Sequence, residues 1–272
     1  MARASLSPLL LRLASAAVLG PLTLAAVWLG GPWLLALMLL AVVVMSWEWA
    51  RLFGRGRFGA IGALVAATGI AAIGLVGFGA GPGPAGLAAA AGGVLVFAAA
   101  AATGKAEPLW AAIGTGWLAL GAVAFLALAR LPTGGRETTL WLLAAVWAND
   151  SAAYVSGRAI GGPKLAPQLS PNKTWAGFAG GVACAGVVGW LAGLVAGTAH
   201  PAALVAASLA LGVAAQFGDL AESAAKRHFG VKDASRLIPG HGGLLDRVDG
   251  LLAASLVAGA VTLGTGRSPL LW

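Results

Sequence analysis

Residues Trp33–Met45 read WLLALMLLAVVVM, an uninterrupted apolar run without a charged side chain. With its flanks, this run approaches the ~20 apolar residues that a helix needs to cross a bilayer. Similar runs follow one another along the 272 residues, so that 59% of the side chains are hydrophobic, 10% are charged and the mean hydropathy is +0.89. An average soluble domain has about 25% charged residues. The composition therefore excludes a water-soluble enzyme, a disordered chain and, because there is a single cysteine, a disulfide scaffold.

The apolar runs predict nine transmembrane helices in an all-α, polytopic membrane protein. We expect the bundle to have a polar cavity facing the cytoplasm. Residues 1–130 would form an N-terminal scaffold and residues 131–272 a C-terminal catalytic portion. The predicted spans are about residues 10–30, 33–50, 58–80, 85–103, 109–130, 138–157, 175–198, 201–218 and 245–266.

The basic residues predict the orientation of this bundle. With the N-terminus in the cytoplasm, 14 of the 17 Lys and Arg side chains fall on the cytoplasmic side and 3 on the far side, as the positive-inside rule requires. The net charge of +8 is therefore distributed over short connections, without the basic face of a nucleic-acid-binding module, and we expect no nucleic-acid partner. We expect a multi-pass protein of the cell inner (plasma) membrane with its active site on the cytoplasmic side.

Ionisable side chains concentrate late in the chain, where six of the nine acidic residues lie between positions 150 and 249. Such groups at membrane depth are costly and usually functional. Near the end of the sixth span, Asp150 stands between Asn149 and Ser151. We expect Asp150 to orient a metal ligand or a phosphate-binding cation. The alternative is a hydrogen-bond cluster that packs helices together.

A second polar segment, Ser170-Pro-Asn-Lys-Thr174, directly precedes the seventh predicted helix. Hydroxyl and amide side chains cap helix starts, and the free N–H groups there attract anions. Ser170, Asn172 and Lys173 therefore predict a phosphate site at the membrane surface. A plain capping turn is the alternative interpretation.

The densest polar stretch runs from residue 219 to residue 250. Carboxylates and hydroxyls at the ends of two spans hold a hard cation such as Mg²⁺, and neighbouring Lys, Arg and His donors suit phosphates. The alternatives are a plain Glu222–Lys226 pair or a solvated charged loop. If the eighth helix continues beyond its span, Asp219, Ser223 and Lys226 share one face. Asp246 and Asp249 share a face at the start of the last span.

The motifs in this stretch resemble the signature of the phosphatidate cytidylyltransferase (CDP-diacylglycerol synthase) family. They are SAAKR at 223–227, KD at 232–233 and PGHGGLLDRVD at 239–249, so that the match spans 27 residues with the family's spacing. The segments around Asp150 and Lys173 also resemble the family. Two departures are Ala225, where a larger apolar residue is common, and Ala176, where many members have an acidic residue.

The resemblance implies the transfer of a cytidylyl group from CTP to phosphatidate, giving CDP-diacylglycerol and pyrophosphate, with Mg²⁺ as cofactor. We expect metal-site carboxylates at Asp150, Asp219, Asp246 and Asp249, and a hydroxyl ligand or phosphate donor at Ser223. We expect substrate contacts from Ser170, Asn172, Lys173, Lys226, Arg227, Lys232, His241 and Arg247. The sequence leaves open whether a second cation takes part and whether the chain forms a homodimer.

Two other classes share part of the pattern. The sequence Asp246-Arg-Val-Asp-Gly250 imitates the start of the motif of CDP-alcohol phosphotransferases, but that motif needs an Ala-Arg soon afterwards and two further aspartates, and no acidic residue follows Asp249. A transporter would have its polar groups at a midplane site between repeats, whereas the charges here gather at one predicted face of the membrane.

Overall fold

The computed structural model describes residues 8–104, 106–238 and 242–272, with side chains from residue 15 onward. Over these ranges the chain forms nine long α-helices, as predicted, with ends close to the expected ones except that the eighth helix ends at His228, ten residues after the predicted end. The helices are α1 (Pro8–Leu29), α2 (Gly31–Phe53), α3 (Gly59–Gly77), α4 (Pro82–Thr103), α5 (Pro108–Ala129), α6 (Gly135–Ile160), α7 (Trp175–Ala196), α8 (Pro201–His228) and α9 (Leu245–Thr265).

Seven of the helices, α2 to α5 and α7 to α9, are long and apolar enough to cross a membrane, within the described residues. The fold is therefore an all-α, polytopic membrane protein. In α1 the described apolar stretch is Ser15–Leu29, and α6 carries polar and charged side chains over its second half. That α1 and α6 also cross the bilayer stays a prediction, as does the division of the chain at residue 130.

Small residues allow the helices that carry the polar segments to approach closely. A Cβ atom on Gly218 of α8 would lie 2.6 Å from the backbone oxygen of Asp249 in α9. A Cβ atom on Gly250 would lie 2.8 Å from Oδ1 of Asp219. The two glycines thus let the acidic ends of α8 and α9 pack directly against each other.

A short hairpin that the sequence analysis did not predict joins α6 to α7. Its strands are β1 (Lys164–Ala166) and β2 (Ser170–Thr174), which pair antiparallel, with Lys164 opposite Thr174. The predicted capping role is confirmed for Thr174, whose hydroxyl accepts a hydrogen bond from the backbone N–H of Gly177 at 3.1 Å. The hairpin places Lys173 beside the neighbouring helices.

Candidate active site

A polar cavity of about 810 Å³ opens where α6 and α8 end and where α7 and α9 begin. This volume falls in the range of small-molecule sites, about 300–1,000 Å³. Its described lining includes nine of the residues predicted from the sequence. They are Asp150, Asn172, Lys173, Asp219, Ser223, Lys226, Asp246, Arg247 and Asp249.

The first cation of the cavity, Lys173, reaches across from β2 to α8. Its Nζ atom lies 2.7 Å from Oδ2 of Asp219 and donates a second hydrogen bond to Gln216 at 3.1 Å. Both members of the ion pair keep about a quarter of their side-chain surface accessible. The pair therefore faces the cavity and remains within reach of a ligand.

The second cation, Lys226, lies between two carboxylates that are almost fully buried. Its Nζ atom pairs with Glu222 one turn earlier in α8 and with Oδ1 of Asp246 in α9, the latter at 2.5 Å. The Glu222–Lys226 pair considered above thus exists, but it is part of the site. The Oε1 atom of Glu222 is buried and has no hydrogen-bond partner among the described residues.

The carboxylate of Asp246 also contacts the loop before α9, of which residues 229–238 and 242–244 are described. Its Oδ2 atom accepts hydrogen bonds from the backbone N–H groups of Ala234 at 3.0 Å and Gly243 at 2.7 Å. Gly242 has a φ of +88°, which favours glycine, and a Cβ atom there would lie 2.8 Å from the same oxygen. Gly242 therefore allows the described part of the loop to approach Asp246 closely.

The remaining carboxylates gather around Asp219. Asp150 and Asp249 lie close enough to Asp219 for their charges to interact. Asp150 accepts a hydrogen bond from the side chain of Asn149 at 3.0 Å. No group of three or more acidic, histidine or cysteine side chains forms a metal cage on its own among the described residues. A cation here would therefore need ligands from outside the chain as well.

Four predicted substrate residues are not part of the described cavity lining. Ser170 lies at the far end of β2, and the side chain of Arg227 donates to the backbone oxygen of Leu169 at 3.3 Å. Lys232 is exposed on the loop after α8. His241 lies outside the described residues.

Three acidic residues of this region, Asp233, Glu222 and Glu48, had no predicted role in the site. Asp233 lines the cavity. Glu222 was considered only as part of a helical pair, although a carboxylate buried at the end of a span is itself a functional signal. Glu48 in α2 is fully buried and contacts the loop before α9. A single acidic residue within an apolar span was the signal that could have identified it. The cavity lining also includes Arg158 and Lys164, which the sequence analysis used only for orientation.

Comparison with known proteins identifies the family. The model of the Cytidylyltransferase family matches residues 10–263, which is nearly the whole chain. The chain belongs to the cytidylyltransferase family. The phosphatidate cytidylyltransferases of Brucella suis and Brucella melitensis are 38% identical over 270 residues and 37% identical over 261 residues, each alignment covering 92% of both chains. The phosphatidate cytidylyltransferase of Bacillus subtilis is 43% identical over 129 residues, 47% of this chain and 48% of that one.

These similarities do not favour the phosphotransferase or transporter alternatives. They place the cavity and its motifs within a cytidylyltransferase.

A second opening of this cytidylyltransferase is an apolar groove of about 860 Å³. Side chains of α1 and α2 form one wall, and side chains of α6 and α9 form the other. Asp150 and Arg247 line both the groove and the polar cavity. The polar cavity and the apolar groove therefore adjoin each other at one acidic and one basic side chain.

Proposed function

We propose that the chain is a phosphatidate cytidylyltransferase, which makes CDP-diacylglycerol and pyrophosphate from CTP and phosphatidate. The observation that carries the proposal is the junction of a polar cavity with an apolar groove at Asp150 and Arg247. The nucleotide is dissolved in water, whereas the acyl chains of the lipid stay in the bilayer. An enzyme that joins the two therefore needs a polar and an apolar space that adjoin each other. The family and its named relatives support the same reaction.

The reaction is a displacement at phosphorus. An oxygen of the phosphatidate phosphate attacks the α-phosphorus of CTP. The bond from that phosphorus to the oxygen bridging to the β-phosphate breaks, and pyrophosphate leaves with the electron pair. A phosphate monoester is largely ionised near neutral pH, so no strong general base is required. Catalysis is then mainly a matter of positioning and of stabilising charge on phosphoryl oxygens.

Two lysines of the cavity are suited to that task. Lys173 and Lys226 approach from β2 and from α8, and each is held by carboxylates in the free protein. We propose that they bind phosphate oxygens of the nucleotide and of the leaving pyrophosphate. Ammonium groups are strong donors to phosphate.

The residues present fit a divalent cation. The described lining contains six acidic and five basic side chains, a net formal charge of −1. A nucleotide triphosphate would add several negative charges to a lining that has no excess of cations, so an accompanying cation would help to balance them. Mg²⁺ binds through one or two carboxylates together with substrate phosphates, and Asp219 and Asp249 with Asp150 nearby would hold it. When bound, it would neutralise charge on the phosphoryl oxygens.

The predicted role of Asp246 as a metal ligand stays a prediction. Its two oxygens already accept Lys226 and two backbone N–H groups. We therefore propose Asp219 and Asp249 as the leading ligand pair.

The lipid substrate would enter from the bilayer. We propose that the acyl chains lie in the apolar groove and that Arg247 binds the lipid phosphate, because Arg247 lines both spaces. A guanidinium group matches phosphate oxygens in a bidentate manner. The excess of basic residues on this side of the bundle supports a cytoplasmic active site in the inner membrane.

The test is an assay of the purified full-length protein in mixed micelles. We expect release of pyrophosphate that requires both CTP and phosphatidate, with CDP-diacylglycerol identified by mass spectrometry. Diacylglycerol in place of phosphatidate should give none, because it lacks the attacking phosphate. Lys173→Ala should lower the rate by about 10²-fold, in the range for loss of one transition-state donor, and Glu137→Gln, at an exposed carboxylate of α6, should match the wild type. Pyrophosphate release without phosphatidate, or consumption of CDP-diacylglycerol with an alcohol, would refute the proposal.

A further inference from the structure

The carboxylate of Glu48 lies in the core of the bundle and is fully buried. It comes from α2, far from the signature in sequence, within a stretch that is otherwise almost wholly apolar. Its Oε1 atom accepts hydrogen bonds from the Ser235 hydroxyl at 2.6 Å and the Leu244 backbone N–H at 2.8 Å. Its Oε2 atom accepts the backbone N–H of Leu245 at 2.7 Å. A buried carboxylate is tolerated when hydrogen bonds compensate for its lost hydration.

These contacts replace a helix cap that α9 lacks. The first N–H groups of an α-helix have no partner within the helix and are usually capped by a Ser, Thr, Asp or Asn side chain. The N-cap residue of α9 is Leu244, whose side chain cannot accept a hydrogen bond. Glu48, which belongs to α2, accepts hydrogen bonds from two of these N–H groups. The positive end of the α9 dipole also favours an anion at this place.

Two carboxylates accept hydrogen bonds from neighbouring backbone N–H groups where the loop before α9 enters the helix. Glu48 binds the N–H groups of residues 244 and 245, and Asp246 binds that of Gly243. A Cβ atom on Gly243 would lie 2.5 Å from Oε1 of Glu48, so glycine is needed for this approach. The other carboxylate oxygen of Asp246 accepts a hydrogen bond from the side chain of Lys226. A continuous set of contacts therefore runs from Glu48 through the loop to the lysine of the cavity.

We propose that Glu48 is a positioning residue for the transfer reaction. It fixes the start of α9 and the loop before it, and so sets the place of Asp246 and, through Asp246, of Lys226. This inference rests on the proposed function for its kinetic consequence. Its structural consequence, a fixed position of Ser235 and of the start of α9, is independent of any activity.

The kinetic test uses Glu48→Gln, which keeps the shape but replaces one accepting oxygen with an amide that can only donate. We expect kcat to fall by about 10- to 100-fold, as for a displacement of catalytic groups by a fraction of an ångström to 1 Å. Ser235→Ala removes a single donor and should cause a smaller loss. Glu137→Gln makes the same chemical change at an exposed carboxylate and should have no effect.

A double variant separates positioning from simple loss of fold. If Glu48 acts through Asp246, the variant Glu48→Gln/Asp246→Asn should be no less active than Asp246→Asn alone. A purely structural role would lower the folded fraction by the same factor in both backgrounds, so the two losses would multiply. Multiplying losses, or an unchanged kcat for Glu48→Gln, would overturn the proposal.

A spin label provides the readout that needs no substrate. In a chain with Cys184→Ser, a label at Arg236→Cys reports on the exposed part of the loop, and a label at Arg57→Cys reports on the loop between α2 and α3. Glu48→Gln should increase the mobility of the label at 236 and leave that at 57 unchanged. Equal spectra at 236 would overturn the proposal even if the enzyme were inactive. An inactive wild type with the expected spectra would instead refute only the proposed function.

Discussion

Replacing Lys226 with methionine would remove the ammonium group that lies between Glu222 and Asp246 while keeping a side chain of similar length. The two carboxylates keep only 1% and 4% of their side-chain surface accessible, and Lys226 keeps 12%. Neither carboxylate can gain enough water to replace the lost cation. The substitution therefore leaves two buried carboxylates close together without the cation that they share.

The expected cost follows from this burial. Removing one partner of a buried ion pair costs about 3–5 kcal/mol. Lys226 borders a cavity that water enters, so we take the lower end, about 3 kcal/mol. At about 2–4 °C per kcal/mol for a chain of this size, the melting temperature should fall by roughly 6–12 °C. Activity should fall by about 10²–10³-fold, because a group that stabilises phosphoryl charge is lost.

Thermal unfolding in detergent, followed by the fluorescence of the eleven tryptophans, measures the first quantity, and the pyrophosphate assay measures the second. The double variant Lys226→Met/Glu222→Gln removes one of the two unpaired carboxylates. It should recover part of the lost stability but none of the activity. A Lys226→Met protein that melts within 2 °C of the wild type, in place of the shift of at least about 6 °C derived above, would refute the reasoning about burial. Recovery of activity in the double variant would refute the assignment of Lys226 to phosphate binding.

Three further predictions address the metal, the loop and the orientation. Asp219→Asn should raise the Mg²⁺ concentration needed for half-maximal activity by at least about tenfold, since a ligand charge is lost; an unchanged Mg²⁺ titration would contradict its role. Gly242→Ala should destabilise the protein more than Gly197→Ala. Both residues have positive φ, but only at 242 would the new Cβ atom approach a carboxylate oxygen, so equal melting temperatures would argue against the close approach. A cysteine at Arg236, in a chain whose native cysteine is replaced by serine, should react with a membrane-impermeant thiol reagent only from the cytoplasmic side, and labelling from outside would reverse the proposed orientation.

Much of the architecture could be predicted because the bilayer imposes a simple requirement. Each run of about 20 apolar residues must form a helix, and all nine predicted runs do so in the described part of the chain. The convergence of Lys173, Asp219 and Asp246 on one cavity could also be expected, because their segments all fall at the same predicted face. The hairpin before α7 could not be predicted, because the three-residue strand Lys164–Ala166 is too short to show the alternation of apolar and polar residues that indicates a strand.

The role of Glu48 was beyond prediction for a different reason. Two of its three partners are backbone N–H groups about 196 residues away, and backbone donors leave no signature in the sequence. The same is true of the loop contacts of Asp246 with Ala234 and Gly243. Sequence patterns locate charged side chains, but they do not show which of those charges bind the chain itself and which remain available for a ligand.

Lys173 and Lys226 of the cavity are both paired with carboxylates of the chain itself. Lys173 is held by Asp219 and Lys226 by Asp246 and Glu222, so neither cation is left uncompensated in a partly dry site. When a polyphosphate binds the lysines, their carboxylate partners lose the cations that balanced them. If the proposed divalent cation binds together with the nucleotide, Asp219 would regain a positive partner. Nucleotide and metal should therefore each strengthen the binding of the other, by the same factor in both directions, and the Asp219→Asn variant, which has less charge to balance, should show the weaker coupling.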